Sequence, residues 1–420
     1  MIEVKEYKPK VKYNITKKVS SKKYSIQFLP EQLQTESLTK TITYKNIKIK
    51  SAYLIDIVHN LILKYYLKKD NTFNLSSIIL KEKYGHRYNL YIDYLVGKNI
   101  LQLIRNHQKG KNTRVYKLRE EVYAGKINRY KNSDNILLKK YKSAVTLIEK
   151  EDLENNTIEV DIKRKLVEDL FHVDIDYVRS LFFLDSTLQD DDIYNKNKYS
   201  VECINDKHIF YHFDNYGRMH TNFTILKSFI RKNCLLIEGE DTVEIDIKNS
   251  QPLFLCRIIE SDGLSMVSPI EFNLYKFLTK TGKFYQYIMD NSDIKDKKMV
   301  KELTYKVFFG KNFRSKSDDI FKSLFPTIHN FIRTYKKEHG DYRILAHDLQ
   351  NLESNLVFNK IVKEIMYIYP EVRILTVHDS LICQEKYRNI VEDIFNKHLD
   401  KEFDKKENIY ETVRTLQQGN

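Results

Sequence analysis

Two aspartates sit in strand-like runs far apart in the chain. Asp246 lies in Val243–Leu255 (VEIDIKNSQPLFL) and Asp379 in the middle of a β-hairpin-like run, Ile374–Cys383 (ILTVHDSLIC). The first closes a short alternation of apolar and polar residues. The second has apolar neighbours on both sides, so its strand is expected to be buried, where a carboxylate is costly without a cation or a partner. Between them is a helix-period segment in which Lys297, Lys301, Tyr305 and Phe309 recur every fourth residue, followed by Gly310. That spacing gives one slowly turning stripe. Lysines can hold triphosphate oxygens, aromatic rings can stack on a base or sugar, and Gly310 ends the helix and leaves room for a template base. Two carboxylates can share a pair of divalent ions about 3.5–4 Å apart. Together these are the parts of a nucleotidyl-transfer site. Singly each has a plainer reading: an aspartate at a strand end is commonly a cap or turn residue. The helix alone reads as amphipathic, with a lysine face and an aromatic core face.

Order and spacing carry more than the parts. Asp in a strand, then K-x₃-K-x₃-Y-x₃-F-G, then His378-Asp379 resembles the three motifs of the family A DNA polymerases and the related single-subunit phage-type RNA polymerases. There the middle motif reads R/K-x₃-K-x₃-(aromatic or Met)-x₃-Y-G. The resemblance spans roughly residues 200–400. It implies that Asp246 and Asp379 are catalytic and bind two Mg²⁺ ions (Mn²⁺ as a possible substitute), with the backbone carbonyl of Ile247 as a further ligand. It implies that Lys297 and Lys301 hold the triphosphate, and that Tyr305, Phe309 and Gly310 position the incoming nucleotide. Gln350-Asn351, expected just before a helix containing Leu356–Ile365, resemble the segment that touches template or minor groove. Arg218, His220 and Thr221 resemble the segment that touches primer and template. His378 would buttress Asp379 or contact the primer end, being a poor ligand for a hard, oxygen-preferring ion.

The departures bear on the sugar. Gln251 stands five residues beyond Asp246, where the DNA polymerases carry a glutamate that crowds the sugar 2′ position. Phe309 replaces the family's tyrosine, so no hydroxyl there rewards a ribose. Ser380, after His-Asp, resembles the RNA polymerase version. The balance favours deoxynucleotides, with ribonucleotide use as the alternative. The short interval between Gly310 and Asp379 implies trimmed fingers. No spaced acidic motifs of a proofreading exonuclease precede the match, and no Y-x-D-D reverse-transcriptase signature is present.

Several elements must position this chemistry. Residues 1–50, rich in Lys and Tyr, are expected to give short basic strands. In 51–120, Tyr53–Leu67, Leu75–Tyr84 (broken at Gly85) and Tyr88–Val96 read as helices. Ile100–His107 and Thr113–Leu118 then read as a hairpin. Three helices and a basic-tipped hairpin resemble a winged helix-turn-helix, whose third helix would offer His86, Arg87, Tyr88 and Asn89 to a groove, with Lys109, Lys111 and Arg114 offered to phosphates. Such a module also serves as a docking point for protein partners. Residues 121–195 read as helices (Asn135–Lys150, Val160–Phe171, Asp174–Phe183), forming a thumb-like segment or a plain linker bundle. From 196 to 420 the pattern turns to short strands and longer helices, the expected palm and fingers. Arg314, Lys316, Arg333 and Lys336 are candidates for a template path, with a solvated helix face the better account for any one of them, and His347 for the rim of the site, with a core histidine an equal account.

Bulk properties bound the rest. The 420 residues carry a formal charge of +14, which fits a polyanionic partner such as a DNA primer–template. Tyr, Lys, Asn and Ile enrichment looks like AT-rich coding and, with the small size, fits a phage or mobile-element origin. Four widely spaced cysteines with no C-x-x-C pair read as packed thiols in a reducing, cytoplasmic setting, not as disulfides or a zinc site. No run approaches membrane-span length and no secretory leader is legible. The expected architecture is therefore α+β: a right-hand palm of antiparallel sheet with trimmed helical fingers, preceded by the winged-helix module and the thumb-like segment. The expected activity is 3′-hydroxyl extension with nucleoside triphosphates by a DNA polymerase without proofreading. The alternatives are an RNA polymerase or primase, and a DNA-binding initiator or regulator with an inactive palm.

Overall fold

A computed structural model describes residues 24–30, 41–68, 70–106, 113–124, 127–140 and 159–403. The chain is α+β, and its sheets are small and antiparallel. Two hydrophobic cores organise it. One is built from residues between Ile26 and Leu137, with Cys203 joining it, and the other runs from Ile162 to Phe403.

In the first core, β1 (Ser25–Pro30) pairs with β7 (Ile127–Asn132), and β2 (Ile42–Tyr44) with β3 (Ile47–Ile49). The helix Ser51–Lys68 buries Leu54, Val58, Leu61 and Ile62 at the spacing of one helical face. The next helix begins at Ser77, later than its sequence pattern implies, because Thr72–Asn74 form a strand, β4. This strand pairs with β6 (Val115–Leu118), which also pairs with β5 (Leu101–Arg105), giving the order β4-β6-β5. Ser76 caps the Ser77–Tyr84 helix by accepting from the Ile79 amide, and Gly85 ends it at φ +85°. Tyr88–Gly97 follows as a third helix. Only the first residues of the expected Asn135–Lys150 helix, through 140, are among those described.

The second core holds the candidate site. Its centre is a five-stranded sheet in the order β13-β14-β12-β11-β8, with β8 Val173–Ile175, β11 Leu235–Ile237, β12 Glu240–Asp246, β13 Leu375–Val377 and β14 Ser380–Gln384. Every neighbouring pair is antiparallel. A separate hairpin, β9 (Tyr211–Phe213) and β10 (Met219–Thr221), lies earlier in the chain.

The 121–195 segment departs from its sequence reading. Val173–Ile175, expected as the start of a helix, is the edge strand β8, and the helix starts at Tyr177 with Asp176 as its cap. Ile162, Leu166 and Leu170 of the preceding helix and Val201 and Ile204 of Asp191–Asn205 join the second core. From about 160 onward, this segment is thus part of the body that carries the sheet. After β12 come the helices Ser250–Ile258, Pro269–Lys280, Phe284–Asp290, Lys297–Phe309, Lys316–Leu324 and Pro326–Glu338. Then Ile344–Ser354, a π-helical stretch Asn355–Val362 and Lys363–Ile368 run on without a break, so Gln350 and Asn351 lie inside this long helix, not before it. All four cysteines are free and buried. No described helix is long and apolar enough to cross a membrane.

Candidate active site

Asp246 is the last residue of β12 and stands at its exposed end, while Val243 and Ile245 point into the core. Asp246 is the register partner of Ser380 in β14. Asp379 is therefore brought beside Asp246 by the turn between β13 and β14, in which Val377 and Ser380 pair and His378-Asp379 form the connection. The expectation of a buried strand for Asp379 needs this correction: the strands on both sides are buried, but the carboxylate sits in the two-residue turn, half-buried. His378 takes φ +55°, the left-handed region unusual for a residue with a β-carbon.

The acids repel one another. Loss of hydration, then the Asp379 and Glu244 charges, pushes Asp246 up to about 6, against the favourable charges of Lys301 and Lys232. Burial also raises Asp379, opposed by Ser250, Arg218 and Lys301. Glu244, two residues before Asp246 and so on the same face of β12, accepts from Arg231 Nη2 and Ser380 Oγ at 3.0 Å each. Its second oxygen is buried with no protein hydrogen-bond partner. Among the described residues no group of three or more His, Cys, Asp or Glu side chains is arranged to enclose a metal ion. Two or three carboxylates short of positive charge do, however, suit a hard divalent ion whose remaining positions are filled by water or substrate phosphate oxygens.

The helix Lys297–Phe309 presents its stripe as the spacing predicts. Lys297, Lys301 and Tyr305 are exposed and Phe309 half-buried, whereas Val300, Leu303, Thr304, Val307 and Phe308 form the buried face. Of the stripe's aromatic residues, Tyr305 is thus outward while Phe309 packs partly against the core. Tyr305 and Phe309 stack with centroids 5.3 Å apart. Lys301 lies over the Tyr285 ring at 5.5 Å, and its charge acts on both aspartates. Lys297 is one turn further along and exposed. Gly310 is required sterically: a β-carbon there would meet the Lys306 carbonyl oxygen at 2.4 Å. The same helix end is capped by Lys336, whose Nζ donates to the Val307 and Gly310 carbonyls at 2.6 and 2.9 Å and whose burial lowers it to about 8. This fixes Lys336 as an internal cap rather than a template-path residue. Arg333 is likewise engaged, with Asp318 and the Asn312 carbonyl.

The structure brings several expected residues to the acids and leaves others away. Arg218 Nη2 donates to Glu353 at 2.5 Å. His220 bonds Asp214 at 2.9 Å, and its ring lies 6.3 Å from that of His378. Burial, then the Arg218, His220 and Arg231 charges, lowers His378 to about 4, so its imidazole is neutral near pH 7. Thr221 is wholly buried and caps the short helix after it, accepting from the Phe223 and Thr224 amides, so its hydroxyl is not presented to a ligand. Gln251 is buried, with Nε2 donating to Glu353. Gln350 is half-buried and Asn351 exposed on the long helix. Ile247 is buried directly after β12. His347 stacks on Tyr216 at 4.9 Å. Arg87 and Arg114 are exposed in the first core's module, and Arg114 lines a groove together with Tyr88, Asn89 and Tyr116. Lys109 and Lys111 lie outside the described residues.

Sequence reasoning missed Glu244, Glu353, Arg231 and Lys232. The first had a signal, since an acid two residues from Asp246 shares its strand face. Glu353 had a weaker one, being one helical turn beyond Gln350. The basic pair Arg231-Lys232 had none beyond composition. The chain matches no protein-family model and no curated protein.

Proposed function

We propose that the chain is a template-directed nucleotidyltransferase that extends a 3′-hydroxyl, with deoxynucleotides as the favoured substrate. One observation carries this reading: Asp246 at the end of β12 and Asp379 in the β13–β14 turn, 133 residues apart in the chain, meet at one end of the sheet within reach of the Lys301 charge. Mg²⁺ ions held there would neutralise the acids, activate the primer hydroxyl and stabilise the leaving pyrophosphate. The protein's own residues do the rest. Lys301, with Lys297 a turn beyond, binds triphosphate oxygens. The Tyr305–Phe309 stack offers an aromatic surface to the incoming base and sugar. Neutral His378 offers a hydrogen bond at the primer end without adding charge beside Asp379. In this reading the five-stranded sheet is the palm, the helices from 269 to 338 are short fingers, and the β4-β6-β5 sheet with its three helices is a winged helix.

Extension of a labelled primer on a DNA template with Mg²⁺, in separate dNTP and rNTP reactions beside Asp379→Ala, tests the proposal. Templated ladders with dNTPs that vanish in the variant are expected. Ladders with rNTPs alone would make it an RNA polymerase or primase. A second reading rests on the exposed Arg87, Asn89 and Arg114 of the first module: a DNA-binding initiator or regulator. Tight, sequence-specific DNA binding without incorporation under any metal would favour it.

A further inference from the structure

Glu353, on the long helix, is 1% exposed, and its carboxylate joins three segments of the chain. Oε1 accepts from Arg218 Nη2 at 2.5 Å. Oε2 accepts from Ser250 Oγ at 2.9 Å and from Gln251 Nε2 at 2.5 Å. Arg218 comes from the turn before β10, and Ser250 and Gln251 come from the first turn of the helix that follows Asp246. Ser250 also favours the charged form of Asp379. A hydroxyl has one proton, so Ser250 donates to only one of the two carboxylates at a time. The Gln251 amide orientation follows from the same contact: Oε1 turned towards Glu353 would face a carboxylate, so Nε2 must.

A buried carboxylate bound this way does more than join elements. Burial pushes it up to about 7, and the half-buried Arg218 guanidinium beside it favours its charged form. The carboxylate also fixes a side chain five residues from Asp246. Three donors occupy its oxygens and it is withdrawn from solvent, so it acts through the side chains it binds.

We infer that Glu353 is a positioning residue that aims Arg218 at the primer–template duplex and holds the Gln251 amide beside the incoming nucleotide. The inference rests on the proposed function for the identity of these ligands. It predicts coupling between Glu353 and Arg218 in duplex binding, and rescue when the carboxylate is moved across the Glu353–Gln251 contact.

The test is a fluorescence-anisotropy titration of a labelled hairpin primer–template in Ca²⁺, which requires no turnover. Glu353→Gln and Arg218→Ala each weaken binding about tenfold, the scale of one lost charge-assisted contact, and the double variant is no weaker than the worse single. The reciprocal exchange, Glu353→Gln with Gln251→Glu, restores a carboxylate–amide pair and a negative charge near Arg218, and returns affinity to within about threefold of wild type. Melting temperatures separate these effects from misfolding, and the exchange variant answers the question if Glu353→Gln alone does not fold. Wild-type binding by a folded Glu353→Gln, multiplying single effects, or failure of the exchange in a protein of unchanged melting temperature would overturn the inference. So would a wild type that does not bind the duplex. A wild type that binds the duplex but extends nothing overturns the proposed polymerase activity, while the binding cycle still decides the role of Glu353.

Discussion

Asp246 and Ser380 are partners across the β12–β14 pair, and this register is what carries the neighbouring Asp379 to Asp246. Slipping β14 by one residue would turn its side chains to the opposite face and separate the acids. The pair thus depends on strand register, which is set by the buried alternation of Val243 and Ile245 against Leu381 and Cys383.

The raised Asp246 predicts a pH-dependent instability of the metal-free protein. A carboxyl near 6 in the fold and about 3.9 when unfolded is bound by more protons in the native state between those values. Stability from this group is present below pH 4 and lost as pH rises through 6. The lowered His378 and His59 work in the opposite direction over much of the same window, so the comparison is with Asp246→Asn, which shares them. In EDTA the variant gains on wild type as pH rises from 4 to 7, read as a difference in melting temperature. Millimolar Mg²⁺ at pH 7.5 removes the gap. A gap independent of pH would mean the Asp246 carboxyl is not strained.

Lys301 and Lys297 are predicted to differ in weight. Only Lys301 acts electrostatically on both aspartates. Under the proposed function, Lys301→Ala should raise the nucleotide KM by about 30-fold and Lys297→Ala by about fivefold, both lysines being exposed and Lys301 the one whose charge reaches the acids. Steady-state extension kinetics decide it. Equal effects would put the triphosphate further along the helix.

Phe309→Tyr adds a hydroxyl at the edge of the Tyr305 stack without altering ring size. Ribonucleotide incorporation relative to deoxynucleotide should rise about tenfold, one hydrogen bond's worth. The measurement is the ratio of kcat/KM values for matched dNTP and rNTP. An unchanged ratio would place sugar selection elsewhere.

Gly310→Ala forces a β-carbon against the Lys306 carbonyl. The expected cost is about 1–3 kcal/mol, as for other steric insertions, read by urea unfolding. Lys336→Met, which leaves the Val307 and Gly310 carbonyls without that donor, should destabilise by a similar amount.

The sequence revealed the stripe on Lys297–Phe309 because a period of four is imposed locally by the helix. It revealed the helices around Leu54–Ile62 and Tyr91–Leu95 for the same reason. It read Ile374–Cys383 as hairpin-like around Asp379, but apolar residues on both sides read equally as a buried strand, so that the carboxylate sits in a half-buried turn was not legible. Val173–Ile175 was hidden similarly: three residues are too few for a period, and only pairing with Leu235–Ile237 makes them a strand. Glu353 and Arg218 are 135 residues apart, and nothing local signals that a buried glutamate on a helix will find that arginine.

The strand pairing that assembles the acids also orders events in time. Ser380 and Glu244, hydrogen-bonded beside Asp246, are separated by 136 residues, so β12 waits for β14 before the sheet can close. Contacts at such separation form late because a long loop must be closed before any pairing rewards it. During synthesis the module around Ser51–Lys68, with a core of its own, can collapse while β12 still has an open edge. A chain stopped after Cys203 and before residue 375 would therefore keep the residues of the first core and lack the paired aspartates. Under the proposed function, such a truncation would leave the candidate winged helix without the candidate active site.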